Sequence, residues 1–234
     1  MKQTDYIFFD CMETLIDITE LPSLRDYALW AYSGSGVESY WDDFEEFLGH
    51  FMFSRENYAQ GLPDGKEYEI SERFQHMARL KSARMGEDRV QYIAKRLYEC
   101  YWKTYKAKCY IQEDVKQMIP LLAKQYHLGV VSNFMVENGI EELLAQFGMI
   151  SYFDFIVTSI KEGWKKPHPL IYQSAIALAR TSPDHILFIG DDYENDYQGP
   201  GKMGLQTIYL DRRGKCPAIR NRITSFSELG NLLF

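Results

Sequence analysis

A chain of 234 residues is long enough for one domain with an insertion or for two small ones, and 46% hydrophobic, 15% aromatic and 25% charged residues exclude disordered, collagen-like and low-complexity classes. Its 26 lysines and arginines against 33 aspartates and glutamates leave a net charge of -7 with no sustained basic block, which argues against nucleic acid as the main partner. Cys11, Cys100, Cys109 and Cys216 form no CxxC pair and are too few for a disulfide scaffold, so a reducing cytoplasm is the expected setting.

The opening ten residues carry Lys2, Asp5 and Asp10 and lack the apolar stretch of a signal peptide. They contain the first strand-sized apolar run, 6–9. No run approaches the roughly 18 residues of a bilayer helix, so no membrane partner is expected. From 18 to 105 the pattern is helical, with helices expected over 24–32, 40–53, 68–84 and 88–105. The last aligns Val90, Ile93, Leu97 and Tyr101 on one face. SGSG (33–36) and GLPDG (61–65) break the pattern with turn chemistry. Trp30, Tyr32, Tyr40, Trp41, Phe44, Phe47, Tyr98 and Trp102 are expected mainly as the core of a small helical domain, with a pocket lining as the sharper alternative.

Beyond this stretch, β-rich runs alternate with helix-length segments. HLGVVS (127–132), DFIVTS (154–159), HILFIG (185–190) and LQTIYL (205–210) are the expected strands, and 136–147, 169–179 and 195–203 the helices between them. That rhythm predicts an α/β parallel sheet formed by 1–17 and 106–234, with 18–105 inserted as an all-helical domain.

In open parallel sheets ligands bind beyond the carboxyl ends of the strands, so the residues just past each apolar run are the ones to read. They are Asp10 in FFDCMETLID, Ser132 and Asn133 in VVSN, Lys166 in KKPHPLIY after the third run, and Asp191 and Asp192 in IGDDYEND. A single carboxylate there would be ordinary helix capping. Four chemically loaded ends in one chain are not.

In this order the motifs resemble the haloacid dehalogenase-like hydrolase superfamily, in the branch with a helical cap inserted after the first motif. The family patterns hhhDxDGTLxD, hhhSN, KPxPxIF and GDSxxxDxxGAxxAG find counterparts in FFDCMETLID, VVSN, KPHPLIY and GDDYENDYQGPGKMG. The resemblance covers nearly the whole chain. It implies a doubly wound, Rossmann-like α/β core, a helical cap, and a small anionic, phosphorylated substrate; the sequence carries no signature of oligomeric state. It also implies an aspartyl-phosphate on Asp10 and a Mg2+ held by Asp10, Asp191 and the backbone carbonyl of Met12. Ser132, Asn133 and Lys166 would hold the phosphate, Asn133 mainly by orienting its loop. Asp192 and Asp196 would lie around the metal, Asp196 as a partner of the metal or of Lys166. Each assignment suits phosphoryl transfer, which needs an in-line nucleophile and positive charge around the non-bridging oxygens.

The pattern fails at Met12, where phosphatases of this superfamily carry the aspartate that acts as general acid and base. Methionine moves no proton. Ordinary alkyl phosphates should therefore turn over poorly, because a positioned acid contributes roughly 10²–10⁴-fold. Glu13 stands where glycine is usual and is a substitute acid only if its side chain turns toward the site. The departure opens a second reading, a haloacid dehalogenase-like or phosphonatase-like hydrolase attacking carbon, with Lys66 or Lys81 available as a cap lysine. A third is a catalytically weak member that binds a ligand. Arg25, Arg55 and Arg73 are cap cations for an anionic substrate, with a solvated surface role as the plainer alternative. The crossings between core and cap are expected at 17–20 and 105–110.

Overall fold

The computed structural model describes residues 3–81 and 84–234. Met1 and Lys2, and Ser82 and Ala83 at the end of the expected 68–84 helix, lie outside the described residues.

The first apolar run becomes β1 (Tyr6–Phe9), followed by a short β2 (Asp17–Ile18) and four helices, α1 (Leu24–Tyr32), α2 (Phe44–Asn57), α3 (Ile70–Lys81) and α4 (Glu87–Lys108). The chain returns through β3 (Cys109–Tyr110), which pairs with β2, and continues as α5 (Glu113–Leu122), β4 (His127–Ser132), α6 (Gly139–Gln146), β5 (Phe155–Thr158) and α7 (Ser159–Glu162). Then come α8 (Pro169–Ala179), β6 (Ile186–Gly190), α9 (Gly199–Lys202), β7 (Gln206–Leu210), β8 (Arg222–Ile223) and α10 (Leu229–Leu233). Two compact units result. The α/β unit comprises the residues up to Asp17, Gly65–Glu67 and Tyr110–Phe234, and the helical unit comprises Ile18–Asp64 and Tyr68–Cys109.

In the α/β unit six strands form one parallel sheet in the order β5-β4-β1-β6-β7-β8. Strands covered on both faces read as continuous apolar runs, as ILFIG of β6, buried throughout, does. The chain fills the sheet from β1 outward to one side and then returns to fill the other, so the order reverses at β1. Crevices form at such reversals, beyond the carboxyl ends of the central strands. Register places Phe9 beside Val130 of β4 and Ile189 of β6. Asp10 is therefore delivered between the ends of β4 and β6, its N–H donating to the Ile189 carbonyl at 3.0 Å.

One face of the sheet is packed by Phe8, Val131, Val157, Ile171, Tyr172, Phe188 and Leu205. On the other, Phe9 stacks on Phe226 with ring centroids 5.8 Å apart. Phe188 is fully buried and meets Tyr172 edge-on, so Phe188→Ala is expected to destabilise the protein by about 3–5 kcal/mol in a denaturant titration.

The helical unit has its own core, in which Phe47, Phe51, Phe74, Met77, Ile93 and Leu97 are buried. Trp30, Trp41 and Trp102 are buried as well, whereas Tyr32, Tyr40, Phe44 and Tyr98 are partly exposed. Helix starts obey capping chemistry. Asp43 accepts the Glu46 N–H at 2.9 Å, so α2 begins at Phe44 rather than at 40, and residues 38–40 form a separate 3-10 turn. α4 runs on to Lys108, three residues past the expected boundary at 105. In the α/β unit, α6 starts at Gly139 rather than 136 because Asn138 takes a left-handed conformation, φ 56. The expected 195–203 helix is divided into a π-helical turn, Tyr193–Gln198, and α9. Among the described residues no helix is long and apolar enough to cross a membrane.

Candidate active site

Immediately after Asp10 the chain doubles back. The N–H groups of Thr14, Leu15 and Ile16 all converge on the Cys11 carbonyl at 3.3, 2.8 and 2.9 Å, while the Glu13 N–H donates to Ile16 O at 2.8 Å. The turn drives Glu13 to φ 62, a left-handed conformation that costs a side-chain-bearing residue roughly 1–2 kcal/mol and suits glycine. The Glu13 carboxylate accepts from Arg213 at 3.2 Å, both side chains being partly exposed.

Lys166 is the hub of the site. Its buried ammonium donates to Asp10 Oδ1 at 2.7 Å, to Asp196 Oδ1 at 2.6 Å and to the Val131 carbonyl at 2.9 Å. Burial alone would lower its pKa, but the two carboxylates outweigh that and hold it above its ordinary value. Ser132, at the end of β4, donates from Oγ to Asp10 Oδ1 at 3.2 Å. Gly190, at the end of β6, is required by close approach: a Cβ there would collide with the Asp196 carboxylate.

Asp191 comes directly after β6 and accepts from Thr14 Oγ1 at 3.2 Å. Carboxylate oxygens of Asp10, Asp191 and Asp196 all lie within 4.8 Å of one another. Three carboxylates thus converge with a single ammonium bonded among them, a surplus of negative charge. Burial, then Asp10, Asp196 and Glu13, push Asp191 up to about 8. Burial and Asp10, partly offset by Lys166, push Asp196 to about 7. A surplus of carboxylate oxygens, two of the groups buried and Asp191 half-buried, suits a hard dication, which coordinates oxygen, so the residues present fit Mg2+.

A carboxyl whose folded pKa lies above its unfolded value favours the protonated fold, so stability is fully present below about pH 4 and lost as pH rises toward 8. In EDTA the melting temperature is expected to fall across that window, and Asp191→Asn is expected to flatten the fall. Divalent cation should raise the melting temperature more at pH 8 than at pH 5.

The other sequence-predicted residues have different placements. Asn133 spends both ends of its amide on the backbone of Lys166, accepting its N–H at 2.7 Å and donating to its carbonyl at 3.0 Å. Asp192 is exposed and caps the π-helical turn, accepting the N–H groups of Glu194 and Asn195 at 2.9 and 2.8 Å. Met12 is partly buried and bridges to Ile16. Lys166 is separated from β5 by α7 instead of coming directly after the strand. In the helical unit, exposed Arg25 pairs with Glu45, and Arg55 is exposed. Arg73 is buried over the Phe51 ring at 4.4 Å, and burial lowers its pKa. Lys81 is paired with Glu46 at 2.5 Å, which raises its pKa. Sequence reasoning missed Thr14, although the first motif contains it: a hydroxyl four residues past the candidate nucleophile, on a turn this tight, returns to the site.

A model of the haloacid dehalogenase-like hydrolase family matches residues 55–210. The chain is 36% identical over 97 residues to the human haloacid dehalogenase-like hydrolase domain-containing protein 3, covering 41% of this chain and 38% of that protein. It thus spans well under half of that relative's length. To a glyceraldehyde 3-phosphate phosphatase of Methanothermobacter thermautotrophicus it is 23% identical over 206 residues, covering 88% of this chain and 84% of the relative. Among solved structures, a 2-haloacid dehalogenase from Pseudomonas syringae superposes with a TM-score of 0.80 at 20% identity, over 99% of this chain and 98% of that one, a likeness of fold.

Proposed function

The chain belongs to the haloacid dehalogenase-like hydrolases, and on that premise we propose that it is a Mg2+-dependent phosphohydrolase acting on a small phosphorylated metabolite through an aspartyl-phosphate on Asp10. The observation that carries this reading is the convergence of Asp10, Asp191 and Asp196, two of them bonded to the Lys166 ammonium. Asp10, Asp191 and the backbone carbonyl of Met12 would hold Mg2+, whose chemistry when bound is to offset the repulsion between an attacking carboxylate and a phosphate dianion. The phosphatase activity of the archaeal relative supports the reaction class.

The Asp10 carboxylate attacks phosphorus, the Asp10–phosphorus bond forms, and the bond to the leaving oxygen breaks. Lys166 and Ser132, both already bonded to Asp10, hold non-bridging oxygens. Asp196 and the Val131 carbonyl keep Lys166 aimed there, and Asn133 fixes the Lys166 backbone. Water then attacks phosphorus, releasing inorganic phosphate and restoring Asp10. The leaving oxygen needs a proton that Met12 cannot supply, and Glu13 is engaged by Arg213. Substrates whose leaving group departs as a stable anion are therefore favoured over alkyl esters.

A phosphonatase-like mechanism requires an uncharged lysine. Lys81 is held charged by Glu46, and Lys66 lies over the Trp164 ring. A cytoplasmic setting, without nucleic acid or membrane partners, belongs to the same proposal. The test is hydrolysis of p-nitrophenyl phosphate and a panel of phosphorylated metabolites with Mg2+ and with EDTA. Turnover that EDTA abolishes is expected. Activity that survives EDTA would support attack on carbon, and no turnover with any substrate would favour a ligand-binding role.

A further inference from the structure

Gly65–Glu67 lies in the middle of the insertion, yet it belongs to the α/β unit, so the chain passes between the two units four times instead of twice. The tripeptide is seated on residues 163–165 as an antiparallel bridge, Lys66 opposite Trp164. The Glu67 N–H donates to Gly163 O at 3.0 Å and the Lys165 N–H to Gly65 O at 2.8 Å. The Lys66 ammonium lies 4.9 Å from the Trp164 ring centroid. Gly163 is at φ 75, a left-handed conformation that suits glycine and turns the chain toward this bridge.

Glu67 is the chemically unusual member. Its side chain is 2% exposed, with Lys165 Nζ 3.6 Å from Oε1. Ser159 Oγ donates to Glu67 Oε2 at 2.6 Å and accepts the Phe134 N–H at 2.8 Å. Phe134 adjoins Asn133, and Asn133 is bonded twice to the Lys166 backbone. The contacts close a ring: the 132–134 loop, Ser159, Glu67, Lys165, Lys166, and back through Asn133. Burying a carboxylate is costly unless it is paired and hydrogen-bonded, and Glu67 meets that cost through Ser159 and Lys165.

We propose that Glu67 is a positioning residue that locks the loop carrying Ser132 to the loop carrying Lys166, so that a segment of the insertion completes the phosphate grip. The activity part of this inference rests on the phosphohydrolase reading; its structural part does not. Misplacing a positioned group by about 1 Å costs on the order of 10²-fold. Glu67→Ala is therefore expected to lower kcat for p-nitrophenyl phosphate about 10- to 100-fold, with KM changed less than about threefold. Glu67→Gln, whose amide oxygen still accepts from Ser159, should recover most of the loss.

Hydrogen exchange provides the second readout. In Glu67→Ala the amides of 132–135 and 163–168 should exchange faster while those of β6 and β7 keep their rates. Should Glu67→Ala not fold, Ser159→Ala breaks the same link from the other side and is read identically. Exchange that rises equally in β6 and β7, or that stays unchanged in both loops, would overturn the proposal, as would an unchanged kcat. If the wild-type protein hydrolyses nothing, the phosphohydrolase reading fails, and the exchange pattern alone still decides whether Glu67 locks the loops.

Discussion

Asp10→Asn is expected to abolish hydrolysis of p-nitrophenyl phosphate, by about 10⁴-fold or more, while leaving the protein folded. The amide matches the carboxylate in size, but it is not a nucleophile and is a poor ligand for a hard cation. Folding is not at risk, because Lys166 keeps its bonds to Asp196 and the Val131 carbonyl. Burial is the main cause that raises Asp191 and Asp196, and removing the Asp10 carboxylate relieves the repulsion that adds to it. In EDTA near pH 8 the variant should therefore melt at a temperature equal to or above that of the wild type. Inactivity combined with undiminished stability separates loss of the nucleophile from damage to the fold. Residual turnover well above background would mean that another group attacks phosphorus.

Met12→Asp is expected to do the opposite, raising turnover of an alkyl ester such as glycerol phosphate by about 10²-fold or more. The surrounding turn is already built, since Cys11 O anchors it and Met12 bridges to Ile16. What the site lacks is a proton for the leaving oxygen. p-Nitrophenolate departs without one, so its turnover should rise far less, and the ratio of the two gains is the diagnostic quantity. A fourth carboxylate should also lower the melting temperature in EDTA and increase its recovery with Mg2+. Equal gains on both substrates would point to an effect other than acid catalysis. No gain on either would mean that the remaining site is not competent.

Much of the site is legible in the sequence because its residues sit at strand ends. Buried parallel strands announce themselves as continuous apolar runs, and the residue after each run is delivered to the same edge of the sheet. Asp10, Ser132 and Asp191 can be read this way, Lys166 only through its KPHP motif because α7 separates it from β5, and the structure brings Asp10, Ser132 and Lys166 into direct hydrogen bonding. Helix limits are less legible, because single residues set them. The Asp43 cap moves the start of α2 by four residues, and left-handed Asn138 shortens α6. Asp192 reads from sequence either as a helix start or as a neighbour of the metal; its side chain caps the turn, while its N–H donates to Asp196 Oδ2 at 3.1 Å beside the carboxylate cluster.

Glu67 is not legible at all. Its partners, Ser159 and Lys165, are 92 and 98 residues away, and no periodicity within GLPDGKEYE marks a segment that pairs with residues 163–165 of the same α/β unit. Long-range pairing of three residues leaves no local trace. The cost of Glu13 at φ 62 is hidden for a related reason: the family resemblance marks the position as glycine's, but only the backbone shows that the substitution is strained.

The most direct test of the central claim is to quench the protein during turnover of p-nitrophenyl phosphate with borohydride, which reduces an acyl phosphate, and to map the modified residue by peptide mass spectrometry. Modification of Asp10 alone, present with Mg2+ and absent with EDTA, is the expected result. Turnover without modification of Asp10, or modification at another carboxylate, would contradict an aspartyl-phosphate mechanism at this site.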